Sequence, residues 1–284
     1  MQSPILAVLS MYALLFSPAL AGADESPARS AREGSYATVN GLKMYYEVHG
    51  TGRPLVLLHG AFGWATAYPA LAKGRQLIAV ELQGHGHTAD IDRFLTFEQM
   101  ADDTAALLRH LQIKQADFFG YSMGGSVALA VAIRHPTLVG RVAINGSVFG
   151  KIEEAYEPAA FQEFKRMSAD FAPPPLKSHY DKVAPDPKQW PVLVAKVKKM
   201  GLEFKGFARE DLRSIKAPVL IAQGDHDLVR VEHAAEMFRL IPNAKLAVLP
   251  GGDHFTIWTS PEKLFAPITD FLNAPVGEAN KPTP

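Results

Sequence analysis

The chain has 284 residues, 48% hydrophobic and 20% charged, which suffices for a sizeable core and excludes a disordered composition. Lys plus Arg and Asp plus Glu number 29 each, and neither sign forms a long run, so nothing marks a nucleic-acid surface and no nucleic-acid partner is expected. Cysteine is absent, which excludes disulfides, a thiolate nucleophile and cysteine-ligated metal.

The N-terminus, PILAVLSMYALLFSPALAGADE, holds an apolar run from Ile5 to Phe16, a helix-breaking Pro18 and two overlapping small-x-small sites, Ala19-Leu20-Ala21 and Ala21-Gly22-Ala23. This predicts a cleaved secretory signal over residues 1–23 and a periplasmic or secreted mature protein, although the first basic residue, Arg29, follows the apolar run instead of preceding it. The run is shorter than the ~20 residues of a bilayer span, so stable membrane insertion is not expected. Residues 24–35 read as a polar linker.

Beyond the linker, short β-rich runs alternate with helical ones. SYATV and LKMYYEV, separated by Asn40-Gly41, predict a hairpin, because Asn-Gly is the preferred two-residue turn. PLVLLHG and QLIAVEL are apolar runs of the buried parallel type, with a helical stretch expected between them near Trp64 to Lys73. TFEQMADDTAALLRHLQI starts at a Thr96 cap with Gln99 three residues on, and Met100, Ala101, Leu107, Leu108 and Leu111 recur at helical spacing. ADFFGYS and VGRVAIN flank a helix expected over Met123 to His135, which Pro136 terminates. APVLIAQG precedes a helix over Val231 to Leu240, and AKLAVLP one over Pro261 to Leu272. A repeating β-α series argues for an α/β fold with an open, mostly parallel sheet covered on both faces. Residues 147–213, rich in Pro and aromatics and without a convincing strand, interrupt the series as an inserted lid, which leaves residues 36–146 and 214–273 as the core. Residues 274–284 form a tail of disordered composition.

Functional groups in such a sheet gather at the carboxyl ends of the strands. PLVLL ends at His59-Gly60-Ala61-Phe62-Gly63, and FFGYS ends at Ser122. VLIAQ ends at Gly224-Asp225-His226-Asp227, and LAVLP at Gly251-Gly252-Asp253-His254. Ser122, with Gly120 two before and Gly124 two after, fits a strand that reverses sharply into a helix. A serine hydroxyl needs a base to take its proton, and an imidazole with an ordinary pKa near ~6.5 can do so at neutral pH; His254 is assigned that role. An acid must accept the other imidazole N–H, and both Asp225 and Asp227 are available. His85 and His87 of ELQGHGHTAD invite a zinc reading, but an H-x-H-x-D pattern would want Asp where Ala89 stands, and Asp90 is one residue late. No metal and no cofactor is expected. Ser126 reads as a small packing residue.

With these motifs at successive strand ends, in the order Ser, Asp, His, the chain resembles the α/β-hydrolase superfamily over about residues 36–273, in particular its small lid-bearing Ser-His-Asp group, which includes many bacterial esterases. The resemblance implies the α/β-hydrolase fold: a mostly parallel eight-stranded sheet with helices on both faces and a helical lid inserted after the sixth strand. It implies Asp227, the last residue of G-x-x-D, as the acid, with Asp225 fixing the turn. It places the oxyanion donors at the backbone N–H groups of Met123 and Ala61, with Phe62 the weaker candidate, and it makes the Gln83-Gly84-His85-Gly86 stretch structural. The resemblance implies a serine hydrolase cleaving carboxylic esters through an acyl-serine intermediate; the N-terminal pattern adds export, and the aromatics of the lid suit small to medium, apolar or aromatic substrates. The same triad serves lactonases, carbon-carbon bond hydrolases and cofactor-free perhydrolases, and some proteins of this fold act as ligand receptors. The expected partner is a small-molecule substrate, and the oligomeric state is left open.

Overall fold

The computed structural model describes residues 34–63 and 71–275. The signal segment, most of the linker, most of the helix expected near Trp64 to Lys73, and residues 276–284 of the tail lie outside them.

β1 (Ser35–Val39) and β2 (Leu42–His49) form the predicted hairpin. Asn40 and Gly41 have φ of 48° and 81°, the two left-handed residues that a type I′ turn requires. Ser35 pairs with Tyr46, so the strand takes the last residue of the expected linker. With β3 (Arg53–Leu58), β4 (Arg75–Val80), β5 (Ala116–Tyr121), β6 (Val139–Asn145), β7 (Val219–Gly224) and β8 (Ala244–Leu249), the hairpin completes an 8-stranded sheet of order β1-β2-β4-β3-β5-β6-β7-β8. β2 is antiparallel to β1 and β4, and all other pairings are parallel.

The central strands bury both faces, which is why their sequences run apolar without alternation. Along β3, Leu55 and Leu57 join Phe119, Ala143 and Leu220 in a core closed by Leu264, Phe265 and Ile268. Val56 and Leu58 join Phe118, Val142 and Ile144 in a second core. The first core is covered by the C-terminal helix and the second by α1 (Phe97–His110) and α2 (Met123–Arg134). Thr96 accepts a hydrogen bond from Gln99 N–H at 3.0 Å, as its capping position predicts, a contact worth about 1 kcal/mol. α2 is buried from Met123 to Ala132, which only an apolar helix with small residues tolerates.

Between β6 and β7 the chain folds into α3 (Ile152–Ala155), α4 (Pro158–Arg166), α5 (Pro174–Val183), α6 (Trp190–Glu203) and α7 (Arg209–Ser214). The prolines that interrupt the β-α rhythm open helices: Pro158, Pro174 and Pro191 sit in first turns, where a missing N–H removes no helical bond. Trp190 and Tyr180 pack edge-on at 5.1 Å in the interior of the insertion, and Trp190 also meets Phe62 at 5.3 Å, which seats the insertion on the loop after β3. α8 (Val231–Leu240), α9 (Thr256–Thr259) and α10 (Pro261–Asn273) complete the chain. The Arg141 guanidinium donates to the carbonyls of Phe271, Leu272, Ala274 and Pro275, so the first two residues of the expected tail are held to the sheet. Among the described residues no helix is long and apolar enough to cross a membrane.

Candidate active site

β3 has β4 on one side and β5 on the other. The chain leaves β3 toward β4 and β5 toward β6, so the carboxyl ends of β3 and β5 flank the crevice where an open α/β sheet places its ligands. β5 ends at Tyr121 and α2 begins at Met123, leaving Ser122 as a one-residue turn with φ 53° and ψ −119°. A non-glycine residue held there is strained by about 1–3 kcal/mol. The Ser122 N–H donates to Asn145 C=O at 2.8 Å, which helps hold it in place. The motif glycines are required by close approach: a Cβ on Gly120 would lie 2.4 Å from Gly124 O, and one on Gly124 would lie 2.1 Å from Leu58 O.

The Ser122 hydroxyl lies 3.0 Å from His254 Nε2, and His254 Nδ1 lies 2.8 Å from Asp227 Oδ1. An ionised carboxylate only accepts, so the proton is on Nδ1 and Nε2 is left to accept from the serine. The Asp227 side chain has no exposed surface, and Oδ1 also accepts from Val229 N–H at 2.9 Å. The Tyr121 hydroxyl donates to His254 C=O at 2.8 Å, tying the loop after β8 to the strand that carries the serine. Imidazole, carboxylate and hydroxyl thus form a continuous hydrogen-bonded chain through residues from three strand ends. Such a chain can withdraw a proton from the hydroxyl and stabilise the imidazolium that results.

Beside it, the loop after β3 is pinned by His59. Leu82 N–H donates to His59 Nε2 at 3.0 Å, so Nδ1 carries the proton and donates to Gly60 C=O at 2.7 Å. Burial and the neighbouring His85 ring hold His59 well below the ordinary imidazole pKa, so it is neutral. Gly63 N–H closes the turn onto Gly60 C=O at 3.2 Å, with Phe62 at φ 73°. Among the described residues, neither Ala61 N–H nor Met123 N–H donates to a backbone carbonyl.

Residues 55–267 match the alpha/beta hydrolase family. The chain belongs to that family. The family indicates a hydrolase, and the chain is similar to proteins that act on different bonds. It is 29% identical over 231 residues to the serine hydrolase BPHL of Mus musculus, covering 76% of this chain and 78% of that one. It is 33% identical over 163 residues to 2-hydroxymuconate semialdehyde hydrolase of Pseudomonas sp. (strain CF600), covering 52% of this chain and 57% of that one. In fold it is similar to a meta-cleavage product hydrolase from Pseudomonas fluorescens, with a TM-score of 0.69, 20% identity, and coverage of 84% of this chain and 97% of that one.

The structure separates Asp227 from Asp225. Asp225 is exposed and holds the His226 side chain, which lowers the pKa of its carboxyl, while Asp227 faces His254. His85 and His87 diverge in their partners. His85 is fully buried on the Gln83 carbonyl and pushed to about 4 by burial, whereas His87 stacks on Tyr45 and bonds Glu81. Gln83 is structural, its amide bonding Asp90, Ile91 C=O and Arg93 C=O.

Ser126 does more than pack. Its hydroxyl donates to Val148 C=O at 2.7 Å and accepts from Val148 N–H at 3.2 Å, clamping α2 to the segment that leaves β6. His233 has no motif around it in the sequence, and its Nε2 accepts from Phe149 N–H at 3.1 Å on the same segment, with the two rings stacked. Gly146, at φ 58°, leaves space for the pair: a Cβ there would lie 2.9 Å from His254 Nδ1. The available signal was a polar or glycine residue inside an otherwise apolar run, as Ser126 is in MGGSVALAVA.

Proposed function

We propose that the protein is a serine hydrolase that cleaves neutral carboxylic esters, with the helical insertion as the lid over its site. Ser122 Oγ attacks the ester carbonyl carbon while His254 Nε2 takes its proton. The oxyanion that forms accepts the N–H groups of Ala61 and Met123. Asp227 holds the Nδ1 proton and stabilises the imidazolium. Collapse breaks the bond to the alcohol, which leaves with the proton from Nε2, and the acyl group stays on Ser122. Water then repeats the attack, giving the acid and restoring the serine.

The observation that carries this reading is the hydrogen-bonded chain from Ser122 through His254 to Asp227, at 3.0 and 2.8 Å. A neutral substrate is favoured by charge: residues 59–70, 118–126 and 144–150, which surround the serine and the two amides in sequence, include no Lys or Arg, and His59 is neutral. A substrate bearing its own carboxylate would call for a paired cation. A second reading, carbon-carbon bond hydrolysis by the same three residues, is favoured by the identity to 2-hydroxymuconate semialdehyde hydrolase.

A panel of p-nitrophenyl esters, lactones and a vinylogous diketone, run with wild type and Ser122→Ala, tests the proposal. Steady ester turnover is expected, lowered by ~10³ to 10⁶ in the folded variant. A variant that keeps a tenth of the activity refutes the nucleophile. A burst without turnover would favour a ligand receptor, and activity on the diketone alone would favour the second reading.

A further inference from the structure

Asp227 lies in a turn, Gly224 to Arg230, that is gripped from two sides. From the sheet, Gln223 of β7 donates through Nε2 to Val229 C=O at 2.7 Å and to Gly224 C=O at 3.3 Å. From the insertion, Glu157 N–H donates to Leu228 C=O at 2.8 Å, and Arg230 N–H donates to Ala155 C=O at 2.9 Å. These bonds make an antiparallel bridge between Tyr156 and Val229, to which the Arg230 guanidinium adds a bond to Glu154 C=O. Between the two grips, Val229 N–H donates to the Asp227 oxygen that His254 uses. All four polar groups of the peptide units flanking Val229 are therefore bonded, and neither unit can turn without breaking two bonds. Asp227 Oδ2 has no partner among the described residues, so the orientation of the carboxylate is set at Oδ1.

We propose that Gln223 and the Ala155–Glu157 segment of the insertion are the positioning elements for Asp227, so that the insertion helps to aim His254 as well as covering the site. The inference rests on the roles given to Ser122, His254 and Asp227 above. A buried amide is costly unless bonded. Gln223 is 1% exposed in the otherwise apolar VLIAQG, and both carbonyls that its amide bonds lie in this turn. The titratable groups around Asp227 are Asp225, His226 and Arg230 within the turn, Glu154, Tyr156 and Glu157 on the insertion, and His254 after β8; burial and the Asp227 charge raise the Tyr156 phenol, which stays neutral.

Two substitutions remove one grip each. Gln223→Met keeps the length of the side chain and deletes the donor. Glu157→Pro deletes the N–H that reaches Leu228, and the backbone accepts it, since Glu157 has φ −57° and Tyr156 before it is extended at ψ 154°. Each variant, checked for folding by circular dichroism, is expected to lose about 10- to 100-fold in kcat with KM within about twofold. The acidic limb of the kcat/KM profile should move to lower pH, because a displaced carboxylate supports the imidazolium less. Labelling of Ser122 by an aryl fluorophosphonate should slow in parallel, and in an Asp227→Ala background neither change should slow it further. A folded variant with wild-type kcat and pH profile overturns the grip on its side. An equal slowing in the Asp227→Ala background shows a merely structural role and also overturns it. Ser122→Ala is run alongside: if it remains active and labelled, the underlying reading has failed, and if it is inert while both variants match wild type, only the positioning claim has.

Discussion

Gly146→Ala tests the site at a point where chemistry and packing meet. Gly146 follows β6 with φ 58°, and an added Cβ would lie 2.9 Å from His254 Nδ1 and 3.0 Å from both His254 Cε1 and Asp227 Oδ2. Carbon contacts settle near ~3.5–4.0 Å, so the imidazole and carboxylate must retreat by about 0.5 Å or more. The left-handed backbone adds about 1 kcal/mol for alanine. Together these predict a loss of about 1–3 kcal/mol in stability, or roughly 3–10 °C in Tm for a domain of this size. The retreat separates the bonded pair that faces Ser122, so kcat should fall about 10- to 100-fold with KM little changed. Hydrolysis of a p-nitrophenyl ester gives both kinetic constants, and thermal unfolding followed by circular dichroism gives Tm. A variant with kcat within twofold of wild type would show that the site tolerates displacement of the His254–Asp227 pair, and would refute the reasoning from its geometry.

Buried histidines set an acid limit on stability. Burial pushes His85 and His233 to about 4, below the ~6.5 of an unfolded chain, so between these values the unfolded state binds more protons and stability falls as pH falls. The linkage amounts to about 2 kcal/mol per histidine at pH 5. For His233, protonation also takes the lone pair that receives Phe149 N–H. Urea unfolding at pH 7 and pH 5 should show a smaller loss for His233→Gln than for wild type, and equal losses would contradict the assignment. Export, read from the N-terminal pattern, predicts that mature protein from the native host begins at Gly22 or Asp24; intact Met1 on protein from the membrane fraction would indicate an anchor.

Much of the frame was legible because its causes are local. Asn40-Gly41 forces a left-handed pair at any address, Thr96 caps whatever helix follows it, and Gly120 and Gly124 permit one kind of turn around Ser122. The apolar runs identify buried parallel strands by composition, and the order of motifs at their ends pointed to the hydrolase fold. Ser122, Asp227 and His254 were nameable from the chain as candidates, and the structure joins them in one hydrogen-bonded chain, although Asp225 and Asp227 could be told apart only by resemblance until exposure and a 2.8 Å contact separated them.

What remained hidden depends on parallel register, which no local pattern encodes. Tyr121 is aligned with Asn145 and Asn145 with Ala222, so Ser122, Gly146 and Gln223 come to lie side by side at one end of the sheet though far apart in the chain. Ser126 finds its Val148 partner and His233 its Phe149 partner only because β6 lies beside β5 and β7. The grip of the insertion on the Asp227 turn pairs Tyr156 with Val229 across two segments that share no motif. Local chemistry thus determined the elements and the reactive groups, while the sheet order, by setting which strand ends are neighbours, decided what holds those groups in place.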